Sequence, residues 1–156
     1  MPSPSPNDLG NDTAAGVIVI LVAYLVILGV ALLISYLLMS ITLMLFFRKV
    51  GVTPGLAWVP IYSTWKWLEV GSQPGALALL RLVPGAGLVT SVFLVIGMHR
   101  SDIAFGKSTE WIALAILVPW LWCILLSQPT EQYHPEWLAA RGYPPPHAGI
   151  GSIAAS

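Results

Sequence analysis

Gly51-Val52-Thr53-Pro54-Gly55-Leu56-Ala57-Trp58-Val59-Pro60-Ile61-Tyr62-Ser63-Thr64-Trp65-Lys66-Trp67-Leu68-Glu69-Val70 sets the fold expected of this chain. The stretch is apolar enough for a membrane, yet Pro54 and Pro60 interrupt it and Lys66 and Glu69 carry charge. A plain anchor needs neither, since breaks and charges are both costly in hydrocarbon. Trp58, Tyr62 and Trp65 stand at i, i+4 and i+7, so a helix would present them on one face. Trp and Tyr prefer the headgroup level of a bilayer, and Pro60 predicts a kink. Residues 54–70 are therefore expected as an interfacial or re-entrant helix. Lys66 and Glu69 lie three apart and can pair. Two readings follow: a Lys that snorkels beside the aromatic belt, or a buried polar pair lining a site.

Downstream, Gly71-Ser72-Gln73-Pro74-Gly75 is a strong turn cluster. Ala76–Met98 is long enough to span, but Arg81 falls near its start and Pro84-Gly85-Ala86-Gly87 follows. That run predicts a broken helix whose freed backbone groups need protein or cavity water. Arg81 can supply donors to those carbonyls, hold an anion, or pair with Glu69 across the turn. His99 to Glu110 reads as a dense polar, solvated loop. His99 and Asp102 have helical spacing, but two ligands do not make a metal site. Gly106-Lys107-Ser108 lacks the upstream Gly of a phosphate-binding loop, since position 101 is Ser101. Trp111–Gln128 is the last apolar segment, with Cys123 as a soft buried filler. Residues 129–156 read as a tail of surface or extended segments.

Upstream, no charge occurs from Thr13 to Phe47. About 20 residues cross the hydrocarbon at roughly 1.5 Å each, so Gly16–Phe47 predicts a span with length to spare. Arg48 and Lys49 end it, while Asp8 and Asp12 lie at its other end, which orients the helix N-terminus outward. Residues 1–15, with Pro2, Pro4 and Pro6 among serines, read as a disordered tail. Having no Lys or Arg, this tail does not form the charged start of a secretory signal.

Composition agrees. Of 156 residues, 56% are hydrophobic and 9% charged, against about a quarter charged in soluble domains. The net charge is zero, which leaves no basic excess for nucleic acid. The fold class expected is an all-α polytopic membrane protein with three to four transmembrane helices, one interfacial or re-entrant Trp-rich helix and a Pro/Gly-broken helix. The spans fall at about 16–47, 76–98 and 111–128. Three crossings put Arg100 and Lys107 outside and the C-terminal tail inside; four put both basic residues inside, which suits the positive-inside rule better.

Gly51, Trp58-Val59-Pro60-Ile61-Tyr62, Pro74-Gly75, Val83-Pro84 and Phe105-Gly106-Lys107 together resemble a bacterial family of small membrane proteins of unknown function. A similar module precedes the catalytic part of some signal peptidases. The resemblance covers about residues 45 to 128 and implies membrane residence and a fold, not proteolysis. Gly51, Trp58, Pro60, Tyr62, Pro74, Pro84, Phe105, Gly106 and Lys107 are its structural motif residues. The chain departs from the family pattern at Ser63 and Gly87, where the family has Asn. It also departs at Gly75-Ala76, in place of tryptophans, and at Arg81, where the family is apolar.

The function expected is an integral membrane scaffold or accessory subunit of a larger membrane complex, with no chemistry of its own. The sequence shows no catalytic constellation, no metal-ligand set and no cofactor motif. The alternatives are a small oligomeric channel or carrier with a polar site at Lys66, Glu69 and Arg81, and a membrane enzyme. The expected partners are the lipid bilayer and a larger complex or a homo-oligomer, in a bacterial cytoplasmic membrane.

Overall fold

The computed structural model describes the backbone of residues 6–150 and the side chains of residues 14–150. Among the described residues every regular element is helical. In chain order these are α1 (Pro6–Val50), a 3₁₀ turn (Pro54–Trp58), α2 (Pro60–Val70), a 3₁₀ run (Gly75–Leu82), α3 (Gly87–Ala104), α4 (Trp111–Leu117), α5 (Pro119–Leu126) and α6 (Glu136–Ala140). The chain divides into two compact units, residues 1–37 and 38–156.

In the first unit the described residues are helix alone. Every side chain from Ala14 to Leu37 is exposed. Among the described residues, Ala14–Val50 is the one helix long and apolar enough to cross a membrane. α1 begins at Pro6, well ahead of the start expected at Gly16. Pro is accommodated in a first helical turn because its missing N–H has no intrahelical partner there. The expected disordered tail is thus helical from Pro6, and residues 1–5 lie outside the described chain.

In the second unit the helix ends organise the chain. At the end of α1, the Val52 N–H donates to the Phe47 carbonyl at 2.8 Å, with Gly51 at φ 81°. At the end of α3, the Lys107 N–H donates to the Asp102 carbonyl at 2.8 Å and Gly106 N–H to Ile103 at 3.0 Å, with Gly106 at φ 68°. Both are Schellman caps, which need a left-handed residue after the last helical one. α2 is capped the same way by a non-glycine. Gln73 N–H donates to Leu68 at 2.9 Å, and Ser72 holds φ 59°.

The segment expected as one helix over 54–70 is two elements. Pro60 sits at the start of α2 behind an extended Val59, so it begins a helix instead of kinking one. The segment expected to span 76–98 is also divided. Its first part is the 3₁₀ run, and Val83–Ala86 turns through bonds from Val83 N–H to Leu80 and Ala86 N–H to Val83, both at 3.1 Å. The break expected at Pro84-Gly85-Ala86-Gly87 therefore falls in place. The chain returns along α3, where Thr90 Oγ1 donates to the Leu77 carbonyl at 2.8 Å. Gly71 then lies against Gly97.

Trp111–Gln128 is not one helix either. Val118, at φ −139°, ψ 67°, separates α4 from α5, because Pro119 cannot donate into a continuous helix and disfavours helical geometry in the residue before it. Both ends of the segment come back to the C-terminal end of α3. Lys107 Nζ pairs with Glu131 at 2.7 Å, the Phe105 and Tyr133 rings lie 5.1 Å apart, and Trp122 bonds Asp102. The pair α4–α5 is a hairpin.

The core gathers Phe46, Phe47 and Val50 of α1, Trp67 and Val70 of α2, Met98 and Phe105, and Trp122, Cys123 and Leu126 of α5. Trp122 is its hub, 5.3 Å from the Phe46 ring and 6.2 Å from Trp67. Such ring pairs add about 0.5–1.5 kcal/mol each beyond burial. The expected C-terminal tail is packed. The His134 N–H donates to the Ala104 carbonyl and His147 N–H to Glu69, both at 2.8 Å. Leu138 and Ala148 are buried. These apolar side chains cover the ends of α1 and α3, which is why the segment is not extended.

Candidate functional site at the C-terminal end of α3

The polar run His99–Glu110 is an exposed loop only in its second half, at Gly106 and Ser108 to Glu110; Ser101 through Phe105 are buried and helical to Ala104. Asp102 is fully buried. Its Oδ1 accepts from Trp122 Nε1 at 2.7 Å, and its Oδ2 has no partner. Burial pushes the carboxyl up to about 7, against the opposing effects of the Trp122 hydrogen bond and the Lys107 charge. This residue can therefore take or release a proton near neutral pH. Lys107 is held beside it by the α3 cap, pairs with Glu131 and lies 4.6 Å from the Trp111 ring centroid.

Other polar atoms at this end are also left without a bond. Arg100 Nη1 donates to the Ser72 carbonyl at 2.9 Å, and its carbon lies 5.3 Å from the Tyr143 ring centroid. The Arg100 Nε, Ser72 Oγ, Trp67 Nε1 and Tyr133 Oη atoms are buried and unpartnered. Buried orphans are rare and mark strain, water or function. Burial also raises the Tyr133 hydroxyl. The missed residue is Asp102; its only signal in the sequence is an acid among Ile103, Ala104 and Phe105.

The polar cluster expected at Lys66, Glu69 and Arg81 is brought together only in part. Lys66 Nζ and Glu69 Oε2 are 2.6 Å apart. Trp65 Nε1 donates to Glu69 Oε1 at 2.6 Å, so both carboxylate oxygens are taken. Arg81 instead donates to Thr64 Oγ1 at 2.8 Å. Of the three roles open to Arg81, pairing with Glu69 is not made here, since Glu69 is taken by Lys66 and Trp65. Arg81 sits one turn of the tight 3₁₀ helix from the Pro84 turn, near the start of α2, whereas Glu69 is at the far end of α2. Glu131 is committed to Lys107, and His134 pairs with Glu136 at 2.8 Å. No group of three or more metal-ligating side chains occurs among the described residues.

The motif residues are mostly structural punctuation. Gly51 and Gly106 are left-handed caps, and a side chain on Gly106 would run into Trp137. Phe105 is buried between Phe46 and Tyr133. Pro60 starts α2, Pro74 precedes the 3₁₀ run and Pro84 lies in the turn before α3. Trp58 and Tyr62 face outward.

A family of unknown function, DUF5684, matches residues 56–135, just over half of the chain. The chain belongs to that family. The match runs from the 3₁₀ turn before α2 through the α4–α5 hairpin to the Lys107–Glu131 pair. It begins and ends later than the 45–128 expected from the motifs. No curated protein and no solved structure matches the chain.

Proposed function

We propose that this member of DUF5684 is a membrane-anchored scaffold or accessory subunit of a larger assembly in a bacterial cytoplasmic membrane, with no chemistry of its own. The observation that carries this is α1, whose apolar side chains from Ala14 to Leu37 are all exposed. Exposed apolar surface on that scale calls for lipid, a partner helix, or both. The scaffold reading is supported by the polar side chains, whose contacts are mostly structural: Lys66, Glu69, Arg81 and Lys107 each bind a neighbour within the module.

The multi-pass form would need 76–98 and 111–128 to cross as well. α4 and α5 hold seven and eight residues and rise only about 10–12 Å, against about 30 Å of hydrocarbon. We therefore take α1 as the crossing helix and the two hairpins as shallow or re-entrant. Leu82, Val83, Leu88 and Leu117, at the hairpin tips away from Arg100 and Lys107, are exposed and apolar, which suits the edge of a leaflet. Arg81 beside them keeps the insertion shallow, because its guanidinium must stay near the headgroups.

The test is purification of the full chain in mild detergent followed by native mass measurement. Wild type is expected as a stoichiometric hetero-complex, and replacing residues 17–34 by leucine should keep membrane insertion while releasing the partner. A homo-oligomer that conducts ions would support the channel alternative. A lone monomer would overturn the scaffold.

A further inference from the structure

One cavity pairs unspent positive charge with an apolar wall. It has a volume of about 510 Å³ and is lined by Leu45, Arg48, Lys49, Ile124, Ser127 and Gln128. That volume falls within the roughly 300–1,000 Å³ of small-ligand sites. Lys49 Nζ donates to the Gln128 carbonyl at 2.9 Å, which uses one of its three donors. Arg48 is exposed. The ion pairs of the described chain lie elsewhere, at Lys66–Glu69, Lys107–Glu131 and His134–Glu136. Two adjacent cations thus face a cavity with no acid in its lining, and Leu45 and Ile124 supply a wall that a soluble anion cannot use.

We propose that this cavity binds an anionic phospholipid, with the phosphate on Arg48 and Lys49 and an acyl chain along Leu45 and Ile124. The guanidinium fork matches phosphate oxygens bidentately. The position is right as well: Arg48 and Lys49 close the apolar run of α1, where headgroups are expected. Basic pockets beside helices on the cytoplasmic side are a recurrent setting for acidic headgroups. The proposal rests on the membrane reading of α1.

The experiment uses the full chain in phosphatidylcholine nanodiscs doped with phosphatidylglycerol, with bound lipid counted by native mass spectrometry. Phosphatidylglycerol should be retained preferentially. Arg48→Gln and Lys49→Gln should each weaken that preference about fivefold, and together about 25-fold. Arg141→Gln, an exposed charge outside the cavity, should leave it unchanged, and millimolar inorganic phosphate should not displace the lipid. An equal loss in Arg141→Gln would reduce the effect to general surface charge and overturn the site. Displacement by free phosphate would overturn the lipid assignment. Incorporation without any preference sinks the cavity proposal alone, while failure to incorporate into either bilayer sinks the membrane reading and this proposal with it.

Discussion

Gly71 and Gly97 meet backbone to backbone, and the fit is asymmetric. A Cβ on Gly71 would collide with the Gly97 backbone, whereas one on Gly97 would lie 3.4 Å from Gly71 Cα. This contact sets how closely the end of α2 approaches α3. Gly71→Ala should therefore cost about 3 kcal/mol or more, since backbone cannot move aside as a flexible side chain can. Gly97→Ala, though buried, should cost no more than about 1 kcal/mol, the usual size of a single substitution, because its Cβ meets only ordinary contact distances. Chemical denaturation of both variants in detergent checks this; equal effects would mean the two helices separate freely.

Ser72 holds the left-handed cap of α2 at φ 59°, with its hydroxyl buried and unbonded. Glycine takes that conformation without strain and would remove the orphan hydroxyl, which costs roughly 1–3 kcal/mol where it stays unsatisfied. Ser72→Gly should raise stability by about 1 kcal/mol or more. A loss of stability would show that Ser72 Oγ has a partner in the working protein, most simply water.

Asp102 makes the module sensitive to pH. Its carboxyl is raised in the folded state to about 7 from an ordinary value of 3.8, so the folded protein binds the proton more tightly than the unfolded chain. The stabilisation is full below about pH 4 and is lost as pH rises through 7. Melting temperature should fall by at least a few degrees between pH 5 and pH 8, and Asp102→Asn should flatten that slope. A wild-type curve that rises over this window would contradict the buried, proton-bearing carboxyl.

How much of this could be read beforehand depends on the range of the interactions. α1 was legible because an uncharged run ending in Arg48-Lys49 carries its own signal. The break at Pro84 was legible because Pro and Gly act locally. Pro60 reads locally as a kink, but it starts α2 behind an extended Val59, just as Pro119 starts α5 behind a non-helical Val118; a proline marks a boundary, and whether the helix bends or begins anew there is not a local property. Asp102 reads as part of a solvated loop because its burial depends on Trp122, twenty positions on, which no local pattern encodes. The segment after Gln128 looked like a tail for the same reason: Leu138 and Ala148 find their partners at the far ends of α1 and α3.

Glu69 and Arg81 should behave as independent sites. Glu69 is bound by Lys66 and Trp65, and Arg81 by Thr64. In a double-mutant cycle, the costs of Glu69→Leu and Arg81→Leu should add to within about 0.5 kcal/mol. A double variant more stable than either single one would restore the direct pairing and, with it, a shared polar site.

The crossing number of the chain is the most direct test of the account. Single cysteines at Ser5, Ser108 and Gln132, in a Cys123→Ala background, can be probed with a membrane-impermeant maleimide on intact cells and after permeabilisation. Ser108 and Gln132 are exposed in the structure, so both will react wherever reagent reaches them. With α1 as the one crossing helix and its N-terminus outside, Ser5→Cys should label on intact cells. Ser108→Cys and Gln132→Cys should label only after permeabilisation. Labelling of Ser108→Cys on intact cells, with Gln132→Cys still protected, would contradict the account and require the α4–α5 hairpin to open into a full crossing.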